Sequence, residues 1–240
     1  MSIANELSRL LQAKSDLATA ITNKGVTVPA NATLDDYAAL VDSIQTGGGT
    51  LPYDAEIEYL ESTGAQWIDT GIKSWNTSII IETEMAFTDL TVQRMLEGAG
   101  DGFYYGLNNN RYELYYNAYW GTADTNYHIF KKSLSRSSSS SSTCHIETYI
   151  DGTSRYSSNS NYASTAVKNN VFIFANSNGS VGILQMKCRK KYFIISVDGF
   201  TVFYGIPVRK GTTGYLYDKI SGELFGNDGS DSFVLGPDVT

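Results

Sequence analysis

His145-Ile146-Glu147-Thr148-Tyr149-Ile150-Asp151-Gly152 alternates along six residues and then meets Asp-Gly, a pair suited to a tight hairpin turn. A second hairpin follows at Asp198-Gly199, with Tyr192 to Val197 before it and Phe200 to Ile206 after it. Val171-Phe172-Ile173-Phe174-Ala175 is a continuous apolar run, as expected of a strand buried on both faces. Gly182 to Lys191 sets Leu184, Met186 and Cys188 against Gln185, Lys187 and Arg189. Turn pairs recur at intervals of about 8–20 residues from residue 53 onward, with no long helical period. This pattern predicts a mainly β chain folded as an antiparallel β-sandwich or jelly roll.

The region before it reads differently. Of the aromatic residues (10 Phe, 3 Trp and 17 Tyr), only Tyr37 precedes residue 51. Alanine runs the other way and favours helix. Ile3, Leu7, Leu10, Lys14, Leu17 and Ile21 follow a heptad seam, which predicts a helix from about residue 3 to 23. Gly25 suits an αL cap at its end. A second helix is predicted from Thr33, with Asp36 reaching back in a capping arrangement, through Leu34, Tyr37, Leu40, Val41 and Ile44. Two such helices make a small core, so Ile3, Leu7, Leu10, Leu17 and Ile21 are expected to oligomerise or anchor. Folding back onto the following domain is the other reading. The expected division is 1–46 helical, 47–52 Gly-rich linker around Gly47-Gly48-Gly49, and 53–240 β domain.

The stretch Ile57-Glu58-Tyr59-Leu60-Glu61-Ser62-Thr63-Gly64-Ala65-Gln66-Trp67-Ile68-Asp69-Thr70-Gly71 resembles the opening strands of a concanavalin A-like, laminin-G-like jelly-roll family. The closing segment is similar too: Gly205-Ile206-Pro207-Val208-Arg209-Lys210, Gly214-Tyr215-Leu216-Tyr217-Asp218-Lys219, Ser221-Gly222 and Phe225-Gly226-Asn227. Tyr149-Ile150-Asp151-Gly152 matches the mid-sheet hairpin of laminin-G-like domains. These matches bracket residues 53–238. In the first region, Ala13-Lys14, Ile21, Lys24-Gly25-Val26, Val28-Pro29 and Thr33-Leu34-Asp35-Asp36-Tyr37 resemble a helical segment of phage tail and fibre-type proteins. The resemblance implies a non-enzymatic virion component of head- or tail-fibre or decoration type, assembled in the host cytoplasm. It further implies helices that join copies, a trimer being favoured, or join other virion proteins, and a jelly roll that displays a surface for a host glycan. A bacterial surface lectin or degenerate glycoside hydrolase of the same fold is the alternative, and a decoration domain without ligand is a third.

Composition excludes several classes. The net charge of −7 opposes a phosphate-binding surface, so no nucleic-acid partner is expected. No apolar run is long enough for membrane insertion, and Glu6, Arg9, Lys14 and Asp16 make the first 25 residues unlike a secretory signal. Two cysteines (Cys144, Cys188) and two histidines (His128, His145) supply neither a disulfide framework nor a zinc site, and buried thiols are expected. His145 and its neighbour Cys144 face opposite ways on a strand, which opposes a catalytic dyad. Glu82 and Glu84 share a strand face, but Ala86 and Phe87 leave the acidic cluster of a hydrolase incomplete. Asp198 and Asn227-Asp228-Gly229-Ser230-Asp231 offer hard oxygens, yet these are ordinary turn sequences. No cofactor, metal or catalytic residue is expected.

Phe103 through Trp120 is the most suggestive stretch. Asn108-Asn109-Asn110 reads as a hairpin tip between aromatic strands. Alternation sends Tyr112, Leu114 and Tyr116 one way, and Arg111, Glu113 and Tyr115 the other, so one set must be core. Rings stack on sugar faces while Asn and Arg read hydroxyls. The candidate ligand-binding residues are therefore Tyr104, Tyr105, Asn108, Arg111, Tyr116, Tyr119 and Trp120. Ser133 to Ser142, rich in serine, reads as a mobile loop.

Overall fold

The computed structural model describes residues 3–23, 26–42, 51–74, 78–100, 103–115, 118–137, 143–161, 169–177, 179 and 181–239. The chain divides into two units, residues 1–51 and 52–240. The predicted linker glycines, the Gly25 cap, Ile44 and Tyr116 lie outside the described residues.

In the first unit a helix runs Ile3–Asn23 and a shorter one Asp36–Asp42. The Asp36 carboxylate accepts from the Thr33 N–H at 2.7 Å and from its hydroxyl at 2.8 Å, so the cap is built from the Asp36 side. Ile21, Ala32 and Tyr37 are buried together, with Ala18, Val26, Val28 and Leu40 against them. Lys14 donates to the Ala32 carbonyl, and the Tyr37 hydroxyl reaches the Lys14 carbonyl at 3.4 Å. The heptad seam is thus divided. Its Lys14 and Ile21 positions turn inward to the second segment, and Ile21 (2% exposed) is core rather than an oligomerisation residue. Ile3, Leu7, Leu10 and Leu17 stay exposed, as does Leu11.

The second unit is mainly β, built from two sheets. The larger places its strands in the order Thr153–Asn161, Thr143–Ile150, His128–Arg136, Ser78–Phe87, Lys187–Val197, Phe200–Lys210, Thr213–Asp218 and Leu224–Phe225. The smaller runs Gly182–Ile183, Asn176–Ser177, Arg94–Gly98, Tyr104–Asn108, Arg111–Tyr115 and Ala118–Trp120, with Asn170–Ile173 joining Ile68–Lys73 beside it. Pairing is antiparallel apart from the parallel contact of Asn176 with Gly98. One core takes side chains from both sheets, among them Ile81, Phe130 and Phe193 from the larger and Leu107, Tyr112 and Leu114 from the smaller.

Both Asp-Gly hairpins form. Asp151 and Gly152 have φ of 52° and 73°, Asp198 and Gly199 of 49° and 87°, the left-handed values that a two-residue turn needs. Three strand readings change. The apolar run from Val171 to Ala175 is buried throughout, but its strand stops at Ile173, where Phe174 takes φ 67°. The alternating stretch from Gly182 breaks at Leu184 (φ 53°), and the long strand starts at Lys187. The serine-rich tract begins as strand: Leu134 and Arg136 are buried while Ser133 and Ser135 take the other face, and only Ser138 to Ser142 fall outside the described residues.

Candidate functional site

The strands Arg94–Gly98, Tyr104–Asn108, Arg111–Tyr115 and Ala118–Trp120 are sequential neighbours, so one stretch of chain builds one patch. Asn109 (φ 49°) and Asn110 (φ 60°) make the predicted turn, a conformation asparagine tolerates because its short side chain bonds locally. Register places Arg94 opposite Asn108, Asn108 opposite Arg111, Gly106 opposite Glu113 and Glu113 opposite Tyr119. Alternation then gives this face Arg94, Tyr104, Asn108, Arg111, Glu113 and Tyr119. Tyr105, Leu107, Tyr112 and Leu114 belong to the core.

Glu113 organises the face. Its carboxylate takes Arg94 Nε at 2.9 Å and Nη2 at 2.6 Å, a bidentate pair, and Asn108 Nδ2 at 3.0 Å. The Tyr104 hydroxyl donates to it at 3.3 Å. Burial raises the Tyr104 phenol above its ordinary pKa, and the Glu113 charge adds to this, so the phenol stays a donor. Asn108 also donates to the Tyr119 hydroxyl at 3.2 Å, and the Arg111 guanidinium stands 5.3 Å from the centroid of the Tyr119 ring. Trp120 leans the other way, stacking on Tyr112 at 5.6 Å, and the exposed Arg155 lies 4.2 Å over its ring.

The structure therefore brings Tyr104, Asn108, Arg111 and Tyr119 together on one face of adjacent strands, and places Trp120 on the opposite side of the same edge strand. Two of the candidates cannot meet an external ligand. Tyr105 is fully buried and donates to Glu97 at 2.5 Å, because its odd register points it into the core. Tyr104 is on the outer face but only 3% exposed, roofed by Arg94 and committed to Glu113. Sequence reading missed Arg94, Glu113 and Arg155. Glu113 carried a signal, an acid within an aromatic strand, while Arg94 and Arg155 become relevant only through pairing.

Other chemistry is spent on structure. Glu82 and Glu84 do share a face, and each is ion-paired, to Lys131 at 3.4 Å and Lys191 at 2.6 Å. Asp198 accepts from the Ser78 N–H, Asn227 from the Trp67 N–H and Asp228 from the Asp69 N–H, all at 2.8–3.1 Å. Among the described residues no group of three or more His, Cys, Asp or Glu is placed to hold a metal ion. His128 is clamped by Asp151 at 2.6 Å and Asp124 at 3.1 Å. Cys144 and Cys188 are both buried with no disulfide between them, and burial pushes the Cys188 thiol up to about 12. Among the described residues no helix is long and apolar enough to cross a membrane. No protein-family model matches the chain, and no curated protein is similar to it in sequence.

Proposed function

We propose that this chain is a non-enzymatic structural appendage of a phage particle, of head- or tail-fibre or decoration type. In this reading the second unit is a concanavalin A-like jelly roll that presents the sheet edge bearing Asn108, Arg111, Tyr119 and Trp120 to a host glycan or receptor. The first unit joins copies of the chain, as a trimer, or attaches them to other virion proteins. The resemblance of the opening and closing strands supports the family, and the two antiparallel sheets with a shared core are consistent with it.

One observation carries the assembly. Ile3 is 90% exposed, Leu7 58% and Leu10 56% on one helix, positions at heptad spacing that leave apolar surface in water. Fully burying such a side chain is worth about 1.5–3 kcal/mol, so covering these positions against copies of the helix favours association. The test is the mass of the full chain by light scattering, where a trimer is expected and Leu7→Asp with Leu10→Asp returns monomer. A monomer of the unaltered chain at micromolar concentration refutes the assembly. A glycan array tests the binding face: retention that fails to drop in Tyr119→Ala and Trp120→Ala refutes that surface.

A further inference from the structure

We propose that the edge of the smaller sheet binds acidic polysaccharide, with ligand carboxylates held by Arg111 and Arg155. This rests on the glycan-binding reading above and names the sugar class it would take. The observation is which arginines are already answered. Arg9, Arg94, Arg189 and Arg209 each face a carboxylate, at 3.7, 2.6, 2.6 and 2.5 Å. Arg136 is buried, which leaves Arg111 and Arg155 as the two exposed arginines in question. Arg111 and Arg155 are both exposed, and among the described residues neither has a carboxylate within ion-pair distance.

Each of the two instead lies over an aromatic ring of the Ala118–Trp120 edge strand, Arg111 over Tyr119 and Arg155 over Trp120. A ring face takes up positive charge but accepts no strong hydrogen bond, so the N–H donors remain to be used. The nearby acids are committed elsewhere. Asp151 holds the Ile129 N–H with one oxygen and His128 with the other, while Asp124 holds the Asn126 N–H and His128. Tyr119 and Trp120 are consecutive, so their rings and the two guanidiniums occupy opposite sides of one strand. An extended chain lying along that edge meets a cation on either side. Arg155 acts on the Asp151 carboxylate through space only, so with neutral sugars both guanidiniums keep N–H donors without a carboxylate acceptor. Carboxylate-bearing sugars complete charge-assisted, bidentate bonds with them.

The test compares retention of the full chain on immobilised polygalacturonate and on its carboxyl-reduced form. Polygalacturonate is expected to bind at least about tenfold more tightly, the worth of one charge-assisted hydrogen bond, with the advantage shrinking as salt rises. Arg111→Gln with Arg155→Gln, both at exposed positions that leave the fold intact, is expected to abolish that advantage. Arg209→Gln, which alters an arginine outside this edge, is expected to preserve it. Equal binding of the two polymers, or an advantage unchanged in the double variant, overturns the acidic specificity and leaves glycan binding standing. Retention of neither polymer also overturns it, and the array on neutral and acidic sugars then decides the glycan reading separately.

Discussion

Lys190 Nζ lies 2.9 Å from both carboxylate oxygens of Glu97, and both side chains are fully buried. Lys190 belongs to the larger sheet and Glu97 to the smaller, so this ion pair ties the two across the core. Glu97 is further held by the Tyr105 hydroxyl at 2.5 Å and the Phe174 N–H at 2.6 Å. Desolvating either ion alone costs several kcal/mol, and the surrounding donors are what make the pair tolerable.

Removing one partner strands the other charge. Glu97→Gln is expected to destabilise the fold by about 3–5 kcal/mol in urea unfolding. Glu97→Leu combined with Lys190→Met should cost much less than the sum of the two single changes. Additive losses would show that the ions do not act as a pair.

Lys132 is the second fully buried lysine. Its Nζ donates to the Leu114 carbonyl at 2.6 Å and lies 3.4 Å from the Thr148 hydroxyl, and among the described residues no counter-charge stands at hydrogen-bond distance. Burial depresses its pKa to about 7, only partly opposed by Cys144 and Glu113. Between that value and the ordinary lysine range the unfolded chain binds the extra proton, so stability rises with pH. From pH 7.5 to 9.5 the gain is on the order of 1 kcal/mol per pH unit. Lys132→Met should flatten that slope, and an unchanged slope in the variant would assign it to another group.

The His128 clamp runs in the opposite sense. Partial burial disfavours the imidazolium, but hydrogen bonds to Asp151 and Asp124 outweigh it and raise the pKa. Its contribution is therefore complete below the unfolded value of about 6.5 and fades as pH climbs past the raised folded value. The melting temperature of the parent should exceed that of His128→Gln by more at pH 5.5 than at pH 8. A difference independent of pH would mean that the imidazolium is not what the two aspartates hold.

Glu113 supports the candidate binding face from beneath. Glu113→Ala leaves Arg94, Asn108 and Tyr104 without their common acceptor and should cost about 2–5 kcal/mol. Tyr104→Phe removes two long hydrogen bonds, one to Glu113 and one from Arg94, each at 3.3 Å, and should cost about 1 kcal/mol. Comparable losses in the two variants would contradict a network centred on the carboxylate.

Local features were legible in the sequence. The helix over residues 3–23, both Asp-Gly hairpins and the Asn109-Asn110 turn each depend on residues within a few positions of one another. The alternation of Arg111 to Leu114 was legible as well, but not its consequence. Tyr112 and Leu114 form the core side, while Glu113 is also buried because Arg94, Asn108 and Tyr104 close over it. Lys190 stands in the basic run Lys187, Arg189, Lys190, Lys191, yet it shares the inward parity of Cys188 and is buried. Its partner lies 93 residues away, beyond the reach of any local pattern.

By itself, then, the sequence determined the elements: turn residues and side-chain periodicity act over one or two turns of backbone, where sterics decide. Tertiary structure alone decided which faces were covered. It made Ile21 and Tyr105 core, and it spent Glu97, Glu113 and three of the arginines, Arg94, Arg189 and Arg209, on partners from other strands or segments. It left Arg111 and Arg155 beside aromatic rings with donors to offer. The physical reason is that burial and ion pairing depend on what packs opposite a side chain. That neighbour is set by which strands meet across the two sheets, not by the order of residues along either one.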